Sequence, residues 1–280
     1  MKKFIALLTA VVMLAVLCCS CGSAPAKAKV VAIDLTQEDY AFGVDKTQPE
    51  LSDKVNTFIE KIMEDGTFDS VCNNYFGDGT PVKVTSAAKD DAKNQLVVAT
   101  NAAFEPFEYK DGDSYVGIDM EIAALLAKEL GMELVIDNMD FDAVCLSVGQ
   151  QKADIAMAGL TVKEDRKEHV NFSETYYKAS QKIIVKEGDT TFDDCATAED
   201  VLKKLQAMGS DVKVGYQNGT TGAMYVENEG DYASNNLKVS GVGYKNGSLA
   251  VQDLLNGNIN YVIIDSAPAD CIVEALNANA

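Results

Sequence analysis

Short apolar runs rich in β-branched residues alternate along this chain with segments of helical periodicity, and this alternation restricts the possible folds more than any other feature. The apolar runs predict strands at residues 30–33, 96–99, 134–136, 155–158, 183–185, 212–215 and 261–264. Helical periodicity predicts helices at residues 49–64, 119–130 and 198–208, with Pro49 in a first turn, Gly131 as a stop and Thr197 as an N-cap. Together they predict α/β architecture with mainly parallel sheets.

The first 20 residues have the pattern of an export signal. Two lysines precede an apolar run at residues 4–17, which is too short for a settled transmembrane span, and a cysteine-rich segment follows. This segment resembles the end of a bacterial lipoprotein signal, in which a cysteine becomes the lipidated first residue of the mature protein. The resemblance implies lipidation of Cys21, with residues 21–29 as a tether. Lipidation of Cys19 and a plain cleaved signal stay open as alternatives.

The charge balance excludes several classes of partner. The chain has 280 residues with 43 acidic and 24 basic side chains, a formal net charge of −19. This argues against nucleic-acid binding and against polybasic binding to a lipid surface. A single histidine excludes a multi-histidine metal site, and the cysteines beyond the signal lack the CxxC spacing of zinc sites. The sequence predicts no metal and no cofactor, while disulfides and free thiols stay equally open for Cys72, Cys145, Cys195 and Cys271.

Only one of the 24 basic residues is an arginine, and it lies in the segment DIAMAGLTVKEDRKEHVNF. Here Gly159 permits close approach of a ligand to the backbone, and Thr161 offers a hydroxyl. Arg166 offers a planar guanidinium suited to bidentate capture of a carboxylate. An ordinary surface helix containing an arginine is the alternative, which fits less well in a chain that otherwise uses lysine. His169 has no acid or nucleophile beside it and is predicted to be structural.

Two further segments follow predicted strands. In KVGYQNGTTGAM, Gly219, Thr220 and Thr221 open a predicted helix, whose free N–H groups make an anion site. A threonine N-cap with a purely local role is an equal alternative. In NYVIIDSAP, Asp265 ends an apolar strand at the edge where open α/β sheets bind ligands, and its carboxylate suits an ammonium. Capping of the next helix is the competing interpretation.

Two aromatic residues, Phe104 and Phe107, follow the predicted strand at residues 96–99 in the segment TNAAFEPFEY. Their rings are suited to packing on the apolar part of a ligand. Core packing at the edge of a lobe is the expected role of at least one of them.

In combination, these segments resemble the polar-amino-acid solute-binding proteins of bacterial ABC importers. The resemblance is carried, in the family's order and spacing, by TNAAFEPFEY, VGIDMEIAALLAKELG, DIAMAGLTVKEDRKEHVNFSETYYKASQKIIVK, VGYQNGTTGAMYVE and YVIIDSAPA. It implies an α/β, two-lobed periplasmic-binding-protein type 2 fold (a Venus flytrap) that closes around a free amino acid. It also implies a monomer without catalytic residues or cofactor, lipid-anchored outside the cytoplasm, with an ABC transporter permease as partner.

The resemblance assigns a role to each candidate residue. In the family, an arginine, a threonine and a helix start clamp the α-carboxylate of the ligand. By position these are Arg166, Thr161 and Thr221, with Thr220 and Gly159 beside them.

The rest of the ligand is assigned in the same way. By position, Asp265 holds the α-ammonium, and Phe104 and Phe141 cover the side chain. Asn101 occupies a place where relatives with basic or polar ligands often carry aspartate. The expected ligand is therefore a neutral or weakly polar amino acid.

One segment stands outside the family's order. Residues 38–77 resemble the family's C-terminal end but come first here, and the sequence stops just after the helix that follows Asp265. The simplest interpretation is a circular permutation in which the polar residues 77–94 link the usual ends. It requires a strand at residues 30–34 to join the sheet that carries Asp265. The expected organisation is lobe 1 at 40–177, lobe 2 at 180–280 plus 30–37, and hinges near 37–40 and 176–180. A truncated protein fused to a stray tail is the alternative.

Two other functions occur on this fold. One is a cyclohexadienyl-dehydratase-like enzyme, which the poorly placed His169 and the amino-acid-type Asp265 disfavour. The other is a tethered amino-acid sensor that presents its ligand to a receptor instead of a permease, and the sequence does not distinguish it.

Overall fold

The computed structural model describes residues 26–278, so the export signal and Cys21 lie outside the described residues. The strands are β1 (Ala28–Val30), β2 (Glu38–Asp45), β3 (Gln95–Thr100), β4 (Ala103–Phe104), β5 (Glu108–Asp111), β6 (Ser114–Val116), β7 (Glu133–Asn138), β8 (Ile155–Ala156), β9 (Val170–Ala179), β10 (Gln181–Lys186), β11 (Lys213–Gln217), β12 (Ser240–Tyr244) and β13 (Tyr261–Asp265). The helices are α1 (Pro49–Glu64), α2 (Thr67–Phe76), α3 (Ile118–Leu130), α4 (Phe141–Gly149), α5 (Glu164–Lys167), α6 (Ala198–Gln206), α7 (Thr221–Glu227), α8 (Gly247–Asn256) and α9 (Ser266–Ala278).

Two five-stranded sheets, each flanked by helices, form the two lobes. The lobe 1 sheet has the order β7-β3-β8-β2-β9, and the lobe 2 sheet has the order β1-β10-β13-β11-β12. A small three-stranded sheet, β4-β5-β6, adjoins lobe 1. The α/β fold class is confirmed, and the two large sheets give the chain two lobes.

The expectation of mainly parallel sheets is wrong, because both sheets are mixed. β3 runs parallel to β7 and β8, and β11 runs parallel to β12 and β13. β2 is antiparallel to both of its neighbours, and so is β10. β9 and β10 follow each other with Ser180 alone between them and belong to different sheets. Consecutive strands of one sheet run parallel when a crossover of a dozen or more residues joins them. The chain enters β2 and β10 from the other lobe, without such a crossover.

The three predicted helices are present at or near the predicted bounds. α1 spans Pro49–Glu64 as predicted, with its apolar stripe of Val55, Phe58 and Ile59 buried. Thr197 caps α6 in a reciprocal capping box with Asp200. An apolar stripe at helical spacing and a local capping pair are both readable without tertiary context, which explains why these bounds could be predicted.

The first predicted strand is displaced. β1 covers Ala28–Val30 and not residues 30–33, and it pairs with β10 in the sheet that also holds β13. The chain then follows lobe 2 as an irregular segment, since Leu35 donates its backbone N–H to the carbonyl of Gln181. β2 crosses to lobe 1.

The polar segment at residues 77–94 is more ordered than a free linker. Val84 is buried and exchanges two backbone hydrogen bonds with Tyr115, each 2.8 Å long. The backbone N–H of Val82 donates to the Glu121 carboxylate at 2.8 Å. The segment therefore packs along lobe 1 beside α3 and β6.

The four cysteines that the structure describes, Cys72, Cys145, Cys195 and Cys271, are all free thiols. Within residues 26–278, no helix combines the length and the apolar composition that a membrane-spanning segment requires.

Candidate functional site

The cleft between the two lobes is closed and brings together most of the residues singled out in the sequence. Arg166 lies on the lobe 1 side where the lobes meet, 6% exposed. Its Nη1 donates to the carbonyl of Thr161 at 2.8 Å, and its Nη2 crosses the cleft to the carbonyl of Gly219 at 3.0 Å. The guanidinium carbon lies 5.2 Å from the centre of the Phe141 ring. The orientation of the guanidinium is thus fixed by hydrogen bonds to both lobes and by its contact with the Phe141 ring.

A cavity of about 390 Å³ opens beside this arginine. Both lobes line it, with Phe141 and Leu160 from lobe 1 and Gly219 and Ala223 from lobe 2. The space therefore lies against the face of Arg166 at the junction of the lobes.

Asp265 lies at the end of β13 on the lobe 2 side, 4% exposed. Its carboxylate accepts a 2.5 Å hydrogen bond from the Tyr40 hydroxyl, which reaches across from β2 in lobe 1. Burial, and after it the charge of Glu38, raises the pKa of Asp265 to about 7. The neutral form of this carboxyl group is therefore favoured more strongly here than it would be in water.

The start of α7 presents two threonines with different roles. Thr220 is the N-cap: its hydroxyl donates to the carbonyl of Gln217 and accepts from the N–H of Ala223, so it acts locally. The hydroxyl of Thr221 is 2% exposed and has no partner. A buried hydroxyl without a hydrogen bond is unfavourable, and a ligand oxygen would satisfy it.

Two glutamines lie buried on the lobe 2 side, and one of them has an unpartnered polar atom. Gln217 is 1% exposed, and its Oε1 has no partner. Its Nε2 donates to Oδ1 of Asn101 across the cleft at 3.0 Å. Gln181 lies opposite Asp265 in the sheet, fully buried. These atoms lie on the same side of the cleft as Thr221 and Asp265.

Asn101 is a contact between the lobes as well as a candidate ligand residue. Its Nδ2 donates to the carbonyl of Met139 at 2.6 Å while its Oδ1 accepts from Gln217. Both ends of the amide are thereby fixed in the closed form.

Thr161 brings a residue into the cleft that the sequence did not single out. Its hydroxyl donates to Oε2 of Glu38 at 2.6 Å, and Thr36 donates to Oε1 of the same carboxylate at 2.6 Å. Glu38 is 5% exposed at the start of β2. The Thr161 hydroxyl, which was predicted to bind the ligand, therefore already donates a hydrogen bond to the buried carboxylate of Glu38.

The two aromatic residues of the segment TNAAFEPFEY have different surroundings. The Phe104 ring lies against Gly159, where an added Cβ would come within 2.9 Å of Cε1. Phe107 is fully buried and packs edge-on against Tyr40 at 5.2 Å between ring centres. Phe107 is therefore a core residue.

Gly159 occupies the left-handed region at φ +54°, a conformation that glycine adopts readily. Its N–H donates to Asp119 at 2.9 Å, and the Tyr176 hydroxyl donates to the other oxygen of Asp119 at 2.7 Å. Burial raises the pKa of Asp119 to about 7, against these hydrogen bonds.

Glu38, Tyr40, Gln181 and Gln217 are candidate site residues that the sequence analysis did not single out. Tyr40 and Asp265 are 225 positions apart, and Gln217 and Asn101 are 116 positions apart. No local pattern marks such pairs. Among the described residues, no group of three or more histidine, cysteine or acidic side chains is arranged to hold a metal ion.

A model of the bacterial extracellular solute-binding proteins, family 3, matches residues 96–265. The arginine-binding extracellular protein ArtP of Bacillus subtilis is 36% identical over 102 residues, 36% of this chain and 40% of that protein. A probable histidine-binding protein of Neisseria gonorrhoeae is 30% identical over 171 residues, 61% of this chain and 58% of that protein. The chain thus spans less than two thirds of the length of these relatives.

The solved structures that resemble this chain are also of amino-acid-binding proteins. An ancestral arginine-binding protein bound to arginine superposes with a TM-score of 0.56 at 33% identity, covering 65% of this chain and 75% of that chain. An ancestral amino-acid-binding protein described as a precursor of cyclohexadienyl dehydratase has the same TM-score at 29% identity and the same coverage. These relatives are binding proteins.

Proposed function

The chain belongs to the family 3 bacterial extracellular solute-binding proteins, and from this premise we propose that it captures a free amino acid between its lobes and delivers it to an ABC transporter permease. It acts as a binding protein and not as an enzyme. Closure is a hinge motion of the lobes through the strands that connect them.

The roles follow from the charges in the cleft. Arg166 pairs with the α-carboxylate through guanidinium N–H groups that remain after its two carbonyl bonds. Thr221 and the backbone N–H groups at the start of α7 add donors from lobe 2. Asp265 pairs with the α-ammonium, and Phe104 and Phe141 cover the side chain.

One observation carries the proposal: buried polar atoms without partners lie beside buried charges on the lobe 2 face of the cleft. Thr221 Oγ1 and Gln217 Oε1 are the atoms concerned. Folded proteins rarely leave such atoms unsatisfied. A zwitterion with its polar groups at this point supplies the missing partners.

Thermal-shift screening against the 20 amino acids tests the proposal. A ligand that binds the folded state alone raises the melting temperature, by an amount that grows with its concentration. We expect at least one amino acid to do so in wild-type protein and to lose this effect in Asp265→Asn. Isothermal calorimetry that detects no amino acid at millimolar concentration would overturn the proposal.

A circular permutation accounts for the order of the segments. Strand β1 lies in the sheet of β13, which supports it. Asn277, near the end of α9, makes two hydrogen bonds to the backbone of Ala28, of 3.1 and 2.8 Å, so the two segments are neighbours. The family match, which stops at residue 265, also fits a C-terminal segment placed elsewhere.

A rearranged chain tests the permutation. It begins at Gln95, runs to Asn277, continues through a short Gly/Ser linker into Ala28 and ends at Phe76. We expect it to fold and to bind the same amino acid. Loss of folding in several linker lengths would contradict the interpretation.

We further propose that the mature protein is a monomer, anchored outside the cytoplasm by a lipid on Cys21. The anchor would join lobe 2, because β1 follows the tether and belongs to that lobe's sheet. Metabolic labelling with palmitate should mark wild-type protein and Cys19→Ser but not Cys21→Ser. Labelling that survives Cys21→Ser would move the assignment to another cysteine.

A further inference from the structure

Tyr40 connects the two lobes at the acid that is assigned to the ligand's ammonium. Its fully buried side chain belongs to β2 in lobe 1, and Asp265 ends β13 in lobe 2. The Tyr40 hydroxyl donates a 2.5 Å hydrogen bond to Oδ1 of Asp265. Because this bond joins atoms of different lobes, it belongs to the closed form.

The position of the Tyr40 hydroxyl is set by lobe 1. The Tyr40 ring packs edge-on against Phe107 at 5.2 Å, and its centre lies 5.7 Å from that of the Tyr177 ring. A Cβ added to Gly159 would come within 3.2 Å of Cε2 of the Tyr40 ring. The backbone of Tyr40 also forms a β-bridge with Thr161. The hydroxyl therefore has a fixed place relative to the segment that is proposed to hold the ligand's carboxylate.

The hydrogen bond from Tyr40 opposes the effect of burial on Asp265. Burial raises the pKa of Asp265 to about 7, whereas hydrogen bonds from Tyr40 and Gln181 lower it. A separation of 2.5 Å lies in the range of hydrogen bonds from a hydroxyl to an ionised carboxylate. An ammonium pairs with the ionised form, so the Tyr40 hydroxyl favours the state of Asp265 that ligand binding needs.

The neighbouring acids make Asp265 more dependent on such donors. Glu38 lies on the same strand as Tyr40, and after burial its charge is the next cause of the raised pKa of Asp265. Glu108 on β5 is fully buried, and burial, followed by the charges of Asp119 and Asp265, raises its pKa well above the usual range. Acids that lie this close disfavour one another's ionisation, so the donor from lobe 1 offsets part of their effect.

We propose that Tyr40 is a positioning residue for the ligand's ammonium: on closure its hydroxyl fixes the orientation of the Asp265 carboxylate, which then accepts the ammonium. A carboxylate offers about four lone-pair sites, and Tyr40 occupies one of them, on Oδ1. This inference rests on the proposed function. It couples recognition of the ammonium to closure, because lobe 1 supplies the donor and lobe 2 supplies the acid.

The test compares two ligands that differ in the α-amino group alone. The first is the L-amino acid that gives the largest thermal shift among the 20. The second is the carboxylic acid that has the same side chain and lacks the α-amino group. For L-arginine this acid is 5-guanidinopentanoic acid, and for L-glutamine it is glutaramic acid. Wild-type protein should bind the amino acid at least about 100-fold more tightly, the effect of leaving a buried acid unpaired.

Tyr40→Phe removes the hydroxyl and keeps the ring. In calorimetry its affinity for the amino acid should fall about 10- to 150-fold, the effect of losing one hydrogen bond to a charged group. Its affinity for the acid without the amino group should change by about threefold or less, because that ligand has no ammonium to place. Tyr177→Phe is the matched control: it removes a hydroxyl from a ring packed against Tyr40 and leaves the bond to Asp265 in place. It should keep both affinities within about twofold of wild type.

The possible outcomes separate the two proposals. If Tyr40→Phe binds the amino acid within about threefold of wild type, or if it weakens both ligands by the same factor, the positioning role is overturned while the proposed function stands. If the two ligands bind wild-type protein equally well, Asp265 does not hold the ammonium and the inference fails even without a folded Tyr40→Phe. If none of the 20 amino acids binds, the proposed function itself fails.

Discussion

Substitutions of Arg166 should separate two contributions to ligand binding, the positive charge of its side chain and the planar geometry of its guanidinium. In Arg166→Ala the ligand carboxylate enters a closed cleft without its cation. Removing one partner of a buried ion pair costs about 3–5 kcal/mol. At about 1.4 kcal/mol per tenfold change, affinity should fall between about 150- and 4,000-fold.

Arg166→Lys keeps the positive charge but loses the planar fork. The guanidinium bonds to the carbonyls of Thr161 and Gly219 at the same time, 2.8 and 3.0 Å away, and one ammonium does not reproduce that geometry. The loss of one charged hydrogen bond, about 1.5–3 kcal/mol, weakens binding by about 10- to 150-fold. Lysine should therefore fall between arginine and alanine.

Isothermal calorimetry with the amino acid found by screening measures all three proteins. Lys167→Ala is the matched control, because Lys167 is exposed and pairs with Glu164 on the surface. Its affinity should stay within about twofold of wild type, since exposed ion pairs contribute little. If Arg166→Ala, shown to be folded by circular dichroism, binds within about threefold of wild type, the carboxylate assignment is refuted.

Three further changes test the closed form and its buried groups. Lys163→Met removes a contact between the lobes with Asp231 and should speed ligand release about two- to fivefold in stopped-flow measurements, while an unchanged rate would exclude a role in closure. Because the pKa of Asp265 is raised from 3.8 to about 7, the folded protein holds a proton that the unfolded chain has released. The free energy of unfolding without ligand should therefore fall as pH rises from about 4 to about 7, and Asp265→Asn should flatten that slope in urea titrations. Gly159→Ala places a Cβ 2.9 Å from the Phe104 ring at a positive φ, so thermal melts should show a loss of about 1–3 kcal/mol, and wild-type stability would argue against this close approach.

The parts of the fold that the sequence predicted are those encoded locally. The bounds of α1 follow from its apolar stripe and from Pro49, and Thr197 shows its cap within three residues. Strand direction was wrong because β2 and β10 take their partners from distant segments. The sequence of an apolar run does not determine which other strand will pair with it.

The candidate site divides in the same way. Arg166 was singled out because it is the one arginine in the chain, and the structure buries it between the two lobes. Glu38 and Tyr40 precede an apolar stretch in β2 and have no motif of their own. They reach the cleft because β2 lies between β8 and β9. The position of these two residues in the cleft therefore depends on the strand order of the sheet, which the local sequence does not encode.

The position of β2 also has a consequence for the order of folding. All five strands of the lobe 1 sheet lie within residues 38–179, an uninterrupted stretch. The lobe 2 sheet needs β1 together with strands that begin at Gln181. On a chain made from its N-terminus, lobe 1 has all its strands while residues 180–280 are still to come, and domains generally fold as units in that order. β1 then stays unpaired until β10 has been synthesised. In chains halted during synthesis once residues 38–179 have left the ribosome, hydrogen exchange should already find lobe 1 protected.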